Sequence, residues 1–324
     1  MSLINQIRIV FMGTPDFAVP SLQYLLEEKL NVVGVVTQPD RPKGRKKIFT
    51  PTPVKVEALN HHIPVLQPEK MKAPEAIQLL KQLQPDLIIT AAFGQILPKE
   101  VLELPRLGCI NVHASLLPKY RGGAPIHHAI KNGETITGVT IMYMAEGLDT
   151  GDMISKIEVP ILENDNTGTM FGKLSIAGAE LLKETLPKLV QGNIQPVAQN
   201  HEEATFASNI KREDELINWK KSSKDIFNHI RALNPFPGSY TLWNGKVLKV
   251  WESLNPSDIY SKPVNHKDDI SPGTVIQMTT DGIEVRTGNG TIWLTQIQPA
   301  GKKRMDVGQF SKGSAIPEGT QFGR

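Results

Sequence analysis

Two regions of different class are predicted for this chain: an α/β domain built on a mostly parallel sheet, then a smaller antiparallel β-barrel domain. Three observations predict them. Residues 6–192 alternate short apolar, β-branched runs with amphipathic helical patterns, as strands buried on both faces and their covering helices do. Beyond residue 210 the pattern becomes one helix and then strands punctuated by Asn-Gly and Asp-Gly pairs, strong hairpin signals. The length, 324 residues, is also more than one ordinary domain holds.

Taken in order, "IRIVFMG" is a first buried strand and "PDFAVPSLQYLLEE" its helix, with Pro15 suited to the first helical turn. "NVVGVVTQ" and "PVKVEALNHH" repeat the pair, then "APEAIQLLKQLQ", "PDLIITAAF" and "GCINVHAS", and finally "APIHHAIKNG" and "GVTIMYM". Such a sheet is Rossmann-like, but "MGTPDF" has only Gly13 where a dinucleotide fold needs several glycines, so NAD binding is a poor fit. The catalytic region is set at residues 1–192, and the polar, aperiodic stretch 193–210 is a linker. Residues 211–324 form the second domain, a partly open Greek-key barrel of the OB type.

Composition narrows the classes. Cys109 is the only cysteine, which excludes a disulfide framework and fits a reducing compartment. Among apolar strand residues it is expected to be an inert core thiol. No apolar run approaches a membrane span, and "QIRIVFMG" near the start is too short for a signal peptide, so a soluble, cytoplasmic protein is expected. No Cys-x-x-Cys or His-x-x-x-His occurs, and the adjacent pairs His61–His62 and His127–His128 do not share a helix face, so no metal is expected. Residues 1–206 carry 20 basic and 21 acidic side chains, whereas 207–324 carry 16 and 12, a mild positive excess that suits a polyanionic partner.

In an open parallel sheet the ligand crevice lies beyond the carboxyl ends of the strands. That rule gathers Gly13–Thr14–Pro15, Phe93–Gly94–Gln95 and the end of "CINVH" at one edge. Side-chain direction repeats every two residues in a strand, so Asn111 and His113 share a face. An amide and an imidazole aimed at one point can donate to a carbonyl oxygen that gains negative charge. In "EGLDTGD", Gly147 and Gly151 flank Asp149, a carboxylate placed to orient the imidazole. Separately, "PDRPKGRKKIF" concentrates Arg41, Lys43, Arg45, Lys46 and Lys47 in a loop after a strand, which suits a clamp on an RNA end. "GKKRM" adds Lys302, Lys303 and Arg304.

"NVHASLLPKYRGGAPI" together with "GVTIMYMAEGLDTGDM" closely resembles the formyltransferase family that uses 10-formyltetrahydrofolate. "VFMGTPDFAVPSL", "VTQPDRPKGRKK", "LIITAAFGQILP", "IKREDELINW", "HIRALNPFPGSY" and "AGKKRM" resemble the branch that formylates methionyl-tRNA, in the expected order over nearly the whole chain. The resemblance implies a catalytic trio of Asn111, His113 and Asp149. It also implies a folate-contacting segment Ser115–Leu116–Leu117–Pro118, with Phe93 and Gly94 beside it. The basic loop and the 302–304 cluster are then tRNA contacts, and the partners are the folate co-substrate and charged initiator methionyl-tRNA. A monomer without a membrane partner is expected. Three alternatives stay open: a formyltransferase for a sugar-nucleotide or purine-precursor amine, a folate-dependent hydrolase, and a non-catalytic tRNA-binding protein.

Overall fold

A computed structural model describes residues 3–44, 47–256 and 270–323. Their contacts divide into two compact units. One comprises Met1–Pro125, Ile136–Pro160 and Phe171–Ser208, the other Ile126–Thr135, Ile161–Met170 and Asn209–Arg324.

The first unit is built on a seven-stranded sheet. In chain order its strands are β1 (Ile9–Gly13), β2 (Val32–Val36), β5 (Val65–Leu66), β6 (Leu87–Ala91), β7 (Cys109–His113), β8 (Ile136–Tyr143) and β9 (Met153–Pro160), lying side by side as β5-β2-β1-β6-β7-β8-β9. The two strands between β2 and β5, β3 (Arg41–Lys43) and β4 (Ile48–Thr50), form a separate antiparallel hairpin. The first five strands of the sheet are parallel, while β8 and β9 each run antiparallel to the preceding neighbour. Every residue of β1 and of β6 is buried, which is why both read as unbroken apolar runs.

Helices α1 (Val19–Glu27), α2 (Pro53–Asn60), α3 (Pro74–Gln82) and α4 (Lys99–Leu102) belong to this unit. Thr52 caps α2 by accepting from the Lys55 N–H at 3.2 Å, and Pro53 then occupies a position that needs no donor. Pro15 stands before a short 3₁₀ turn (Asp16–Ala18) that precedes α1, one step earlier than the sequence pattern suggests. On one face of the sheet Val10, Met12, Val36, Ile88 and Cys109 pack with Ile77 and Leu80 of α3 and Val101 of α4. Cys109 is 2% exposed, and burial pushes its thiol up to about 12, so it is an inert core group.

Three further helices are α5 (Pro125–Lys131), the long α6 (Thr167–Val190) and α7 (Ser223–Ala232). The second unit carries an antiparallel sheet of β10 (Ser239–Trp243), β11 (Lys246–Ser253), β12 (Val275–Met278), β13 (Ile283–Arg286) and β14 (Thr291–Pro299) in the order β10-β11-β14-β13-β12, with β15 (Met305–Asp306) on β14. Helix α7 packs on β11 and β14, and α8 (Val307–Ser311) follows β15. The sheet's inner side chains, including Leu248, Val250, Ile283, Val285, Ile292 and Leu294, close a core with Trp219, Ile226, Phe227 and Phe310. Each such side chain contributes about 1.5–3 kcal/mol of burial. Among the described residues no helix is long and apolar enough to cross a membrane.

Candidate active site

The end of β7 turns from apolar to polar on one face. Cys109 faces the core, and two and four residues later the same face presents Asn111 and His113. Asn111 lies opposite Thr90 of β6, whose buried hydroxyl donates to Asn111 Oδ1 at 2.8 Å. With its oxygen held, the amide directs its Nδ2 donors away from the sheet.

His113 is 6% exposed and has a protein group at each ring nitrogen. Nε2 lies 3.0 Å from the Tyr120 carbonyl, and because a carbonyl only accepts, this nitrogen carries a proton. Nδ1 faces Asp149 Oδ2 at 3.7 Å. That separation is too long for a hydrogen bond and leaves room for an atom to bridge the two.

Asp149 sits in the left-handed region at φ +50°, which Asp tolerates better than most residues. Its Oδ2 accepts the Gly122 N–H at 2.8 Å, while Oδ1 has no partner among the described residues. Two glycines make the arrangement possible. Gly151 passes so close to the backbone that a Cβ there would lie 1.9 Å from the Tyr143 carbonyl oxygen. Gly122 has φ +119°, and a Cβ on it would lie 2.6 Å from the Ala207 oxygen.

Residues 193–208 complete the site. Thr205 receives the Tyr120 N–H on its hydroxyl at 2.9 Å and the Arg121 N–H on its carbonyl at 2.8 Å. The Ala207 N–H donates to the Arg121 carbonyl at 2.7 Å. Gln199 donates through Nε2 to the carbonyls of Asp149 and Gly151 at 2.8 and 2.7 Å. Sequence patterning does not reveal Thr90, Tyr120, Arg121, Gln199 or Thr205, although "KYRGG" lies inside the stretch that points to the site.

The strand ends converge as the sheet rule predicts. The Thr14 hydroxyl and the Gln38 amide both donate to the Phe93 carbonyl, at 3.0 and 3.1 Å. The Phe93 ring itself belongs to the core and is 5% exposed. Gly94 is exposed at φ +83°, and the neighbouring Ile96 is 82% exposed, an apolar surface the sequence pattern does not single out. The Ser115–Pro118 turn is mostly interior. The Ser115 hydroxyl donates to the Lys119 carbonyl at 2.7 Å, and Leu117 is buried. Leu116 packs beside Gly138 of β8, and only Leu116 and Pro118 are half-buried.

The basic segment expected as a loop is a hairpin, because residues of β3 pair with those of β4. Arg41 forms an exposed ion pair with Glu69 at 2.5 Å. Lys43 lies on β3, Lys47 is exposed at φ +49°, and Arg45 and Lys46 fall outside the described residues. Ile48 and Phe49 of β4 are 60% and 70% exposed, so the hairpin presents apolar surface beside its cations.

In the second unit Lys302 and Lys303 are exposed, and Lys302 lines a cavity of about 600 Å³ with Lys246 and Trp243. Arg304 is already engaged, with Glu252 at 2.6 Å, with Gln296, and with its guanidinium 5.2 Å from the Trp251 ring centre. Among the described residues no group of three or more His, Cys, Asp and Glu side chains is placed to hold a metal.

Comparison with known proteins gives the family. A family model described as "Formyl transferase" matches residues 7–186, and one for "Formyl transferase, C-terminal domain" matches residues 209–315. A protein of Bacillus velezensis named methionyl-tRNA formyltransferase is 58% identical over 317 residues, 98% of each chain. One of the same name from Bacillus subtilis is 57% identical over 317 residues, again 98% of each chain. A solved N-formyltransferase from Helicobacter canadensis, in complex with folinic acid and dTDP-3-aminofucose, shares the fold. Its TM-score is 0.65 at 21% identity, covering 91% of this chain and all of that one.

Proposed function

This chain belongs to the methionyl-tRNA formyltransferase family, and on that premise we propose that Asn111, His113 and Asp149 carry out its reaction. It transfers the formyl group of 10-formyltetrahydrofolate to the free amino group of charged initiator methionyl-tRNA, giving the formylated tRNA used in translation initiation. The observation that carries the residue assignment is that three side chains, brought together by the shared face of β7 and the His113–Asp149 contact, keep unspent groups. Asn111 Nδ2, His113 Nδ1 and Asp149 Oδ1 are left over after every other polar atom of the trio has found a protein partner.

The folate supplies the formyl carbon that the amine attacks. Asn111 Nδ2 and His113 Nδ1 donate to the formyl oxygen as it gains charge, and one such donor is worth about 3–4 kcal/mol of barrier. Asp149 Oδ2 favours charge on the imidazole across 3.7 Å. Its Oδ1 takes the amine proton through a bridging water, and that proton passes to N10 as the formyl C–N10 bond breaks and tetrahydrofolate leaves. No nucleophilic side chain is needed. The residues fit the folate: near the strand ends, exposed Ile96 and Gly94 supply apolar surface suited to an aromatic ring system. Ser115, Leu116, Leu117 and Pro118 shape the opposite wall through their turn, and Phe93 supports it from the core.

For the tRNA, the cations of residues 41–47 (Arg41, Lys43, Arg45, Lys46 and Lys47) contact the acceptor end and Lys302 and Lys303 contact the backbone elsewhere, while Arg304 supports them from its bonds to Glu252 and Gln296. We assign catalysis to the unit that holds the trio, residues 193–208 included, and tRNA holding to 211–324, in a monomer of the cytoplasm, where charged tRNA is made and used. The test is to mix the protein with 10-formyltetrahydrofolate and charged initiator tRNA and to measure formylmethionine after deacylation. Formate release with no formylmethionine would replace transfer by hydrolysis. Formylation of an amino sugar nucleotide in preference to the tRNA would replace the acceptor.

A further inference from the structure

Asp149 is held at φ +50° by a side chain fifty residues away, and that side chain is itself oriented by a buried cation. Arg121 is 3% exposed. Its Nε and Nη2 both donate to Gln199 Oε1, at 3.0 and 2.7 Å, and its Nη1 lies 3.2 Å from His201 Nδ1. Among the described residues it meets no carboxylate. A buried guanidinium without an anion is costly to keep, so its placement calls for a reason.

Gln199 supplies that reason. A carboxamide has an accepting end and a donating end, and nothing in its shape says which way round it should lie. A guanidinium only donates. Arg121 therefore fixes the oxygen of Gln199 toward itself and the Nε2 hydrogens toward the turn. Those two hydrogens are then spent on the carbonyls of Asp149 and Gly151, at 2.8 and 2.7 Å. The next residue after Arg121 completes the clamp, since the Gly122 N–H holds the Asp149 carboxylate.

We infer that Arg121 and Gln199 are positioning residues for the reaction. The guanidinium polarises and orients the amide, and the amide pins the 149–151 turn so that the carboxylate faces His113 at the observed separation. Neither residue touches the reacting atoms. This inference rests on the role proposed above for Asp149.

Gln199→Glu tests it, because a carboxylate accepts from Arg121 at least as well as the amide does but cannot donate to the two carbonyls. Q199E strengthens the contact with Arg121 but sets an oxygen against the Asp149 and Gly151 carbonyls, so a thermal melt first establishes that it folds. Its kcat should fall about tenfold to a hundredfold, the scale set by a misplacement near 1 Å, with KM for folate and tRNA little changed. Single-turnover rates of D149A and D149A/Q199E should then coincide, because a residue acting through Asp149 has no further effect once that carboxylate is gone. Wild-type kcat in Q199E, or losses that multiply in the double variant, would overturn the inference. If Q199E gives no cooperative melt, the same cycle is read with R121K, which keeps the charge but loses the fork. Full activity in D149A would instead overturn the role of Asp149 itself, whereas an impaired D149A beside an unimpaired Q199E overturns the clamp alone.

Discussion

Residues 111–122, which begin in β7, and residues 41–50, which follow β2, both belong to strand ends of one mostly parallel sheet, yet they are built in opposite ways. In the first, the polar atoms that do not face the crevice are bonded: Asn111 to Thr90, His113 to Tyr120, Ser115 to Lys119 and Gly122 to Asp149. In the second, two three-residue strands carry cations and the exposed Ile48 and Phe49, with Glu69 as an ion partner for Arg41. Catalysis needs donors fixed where charge will develop, because reorganisation at that moment costs barrier height. Gripping RNA needs charge and apolar surface but little fixed geometry. Bonding density thus separates the segment proposed for the chemistry from the segment proposed to meet the tRNA.

The comparison breaks first at the trio. Asn111→Ala and His113→Ala should each lower kcat by about 10²–10³-fold with folate KM nearly unchanged, since the lost bonds form mainly in the transition state. Steady-state kinetics on charged tRNA check this, and near-wild-type turnover in both would move the chemistry elsewhere. A smaller and different effect is expected from neutralising the hairpin cations together. KM for tRNA should rise while kcat and folate KM hold, and the log–log salt slope should flatten by roughly 0.7–0.9 per lost phosphate contact. An unchanged slope would leave the hairpin a solvated surface.

The same contrast recurs within the 302–304 cluster. Lys302→Ala and Lys303→Ala should weaken tRNA binding without altering the melting temperature. Arg304→Ala should do the reverse, because its charge is spent on Glu252 and Trp251, an interaction worth about 0.5–1 kcal/mol at a surface. A filter-binding assay beside a thermal melt separates the two.

The smallest effect is a dependence on pH in the second unit. Burial pushes the His229 imidazole down to about 4, with Lys131 adding to the shift. Between the ordinary histidine value of 6.5 and that figure, the unfolded chain binds a proton that the native chain refuses. Stability therefore falls as pH drops through this window and is fully present above it. His229→Gln should flatten the slope. All four tryptophans lie in residues 219–293, so their fluorescence follows this unit.

How much of this the sequence carries depends on the range of the interaction. The parallel sheet is legible because strands covered on both faces must be apolar throughout, and the second sheet because its turns need Asn-Gly and Asp-Gly. Asn111 and His113 are legible because strand periodicity puts them on one face, and Asp149 because glycines flank it. The hairpin at 41–50 is not, since three-residue strands are too short to show alternation and Pro42 argues against a strand. Gln199 and Thr205 are invisible for another reason. They sit in an aperiodic stretch, and their partners lie about fifty and eighty-five residues away, so only the fold discloses them. Phe93 shows a difference of scale: the sequence pattern points to its loop, but the ring packs in the core and the exposed Ile96 stands at the surface.

The burial of Cys109 has a practical consequence. A thiol held near 12 in a closed strand has almost no thiolate at neutral pH, and maleimide and iodoacetamide react with thiolates. The native chain is therefore chemically silent toward them, without any cysteine having to be removed. A single cysteine introduced at an exposed position of the hairpin, Phe49→Cys for instance, would be the one reactive thiol. A dye or spin label could then be carried on the hairpin while Asn111, His113 and Asp149 stay untouched.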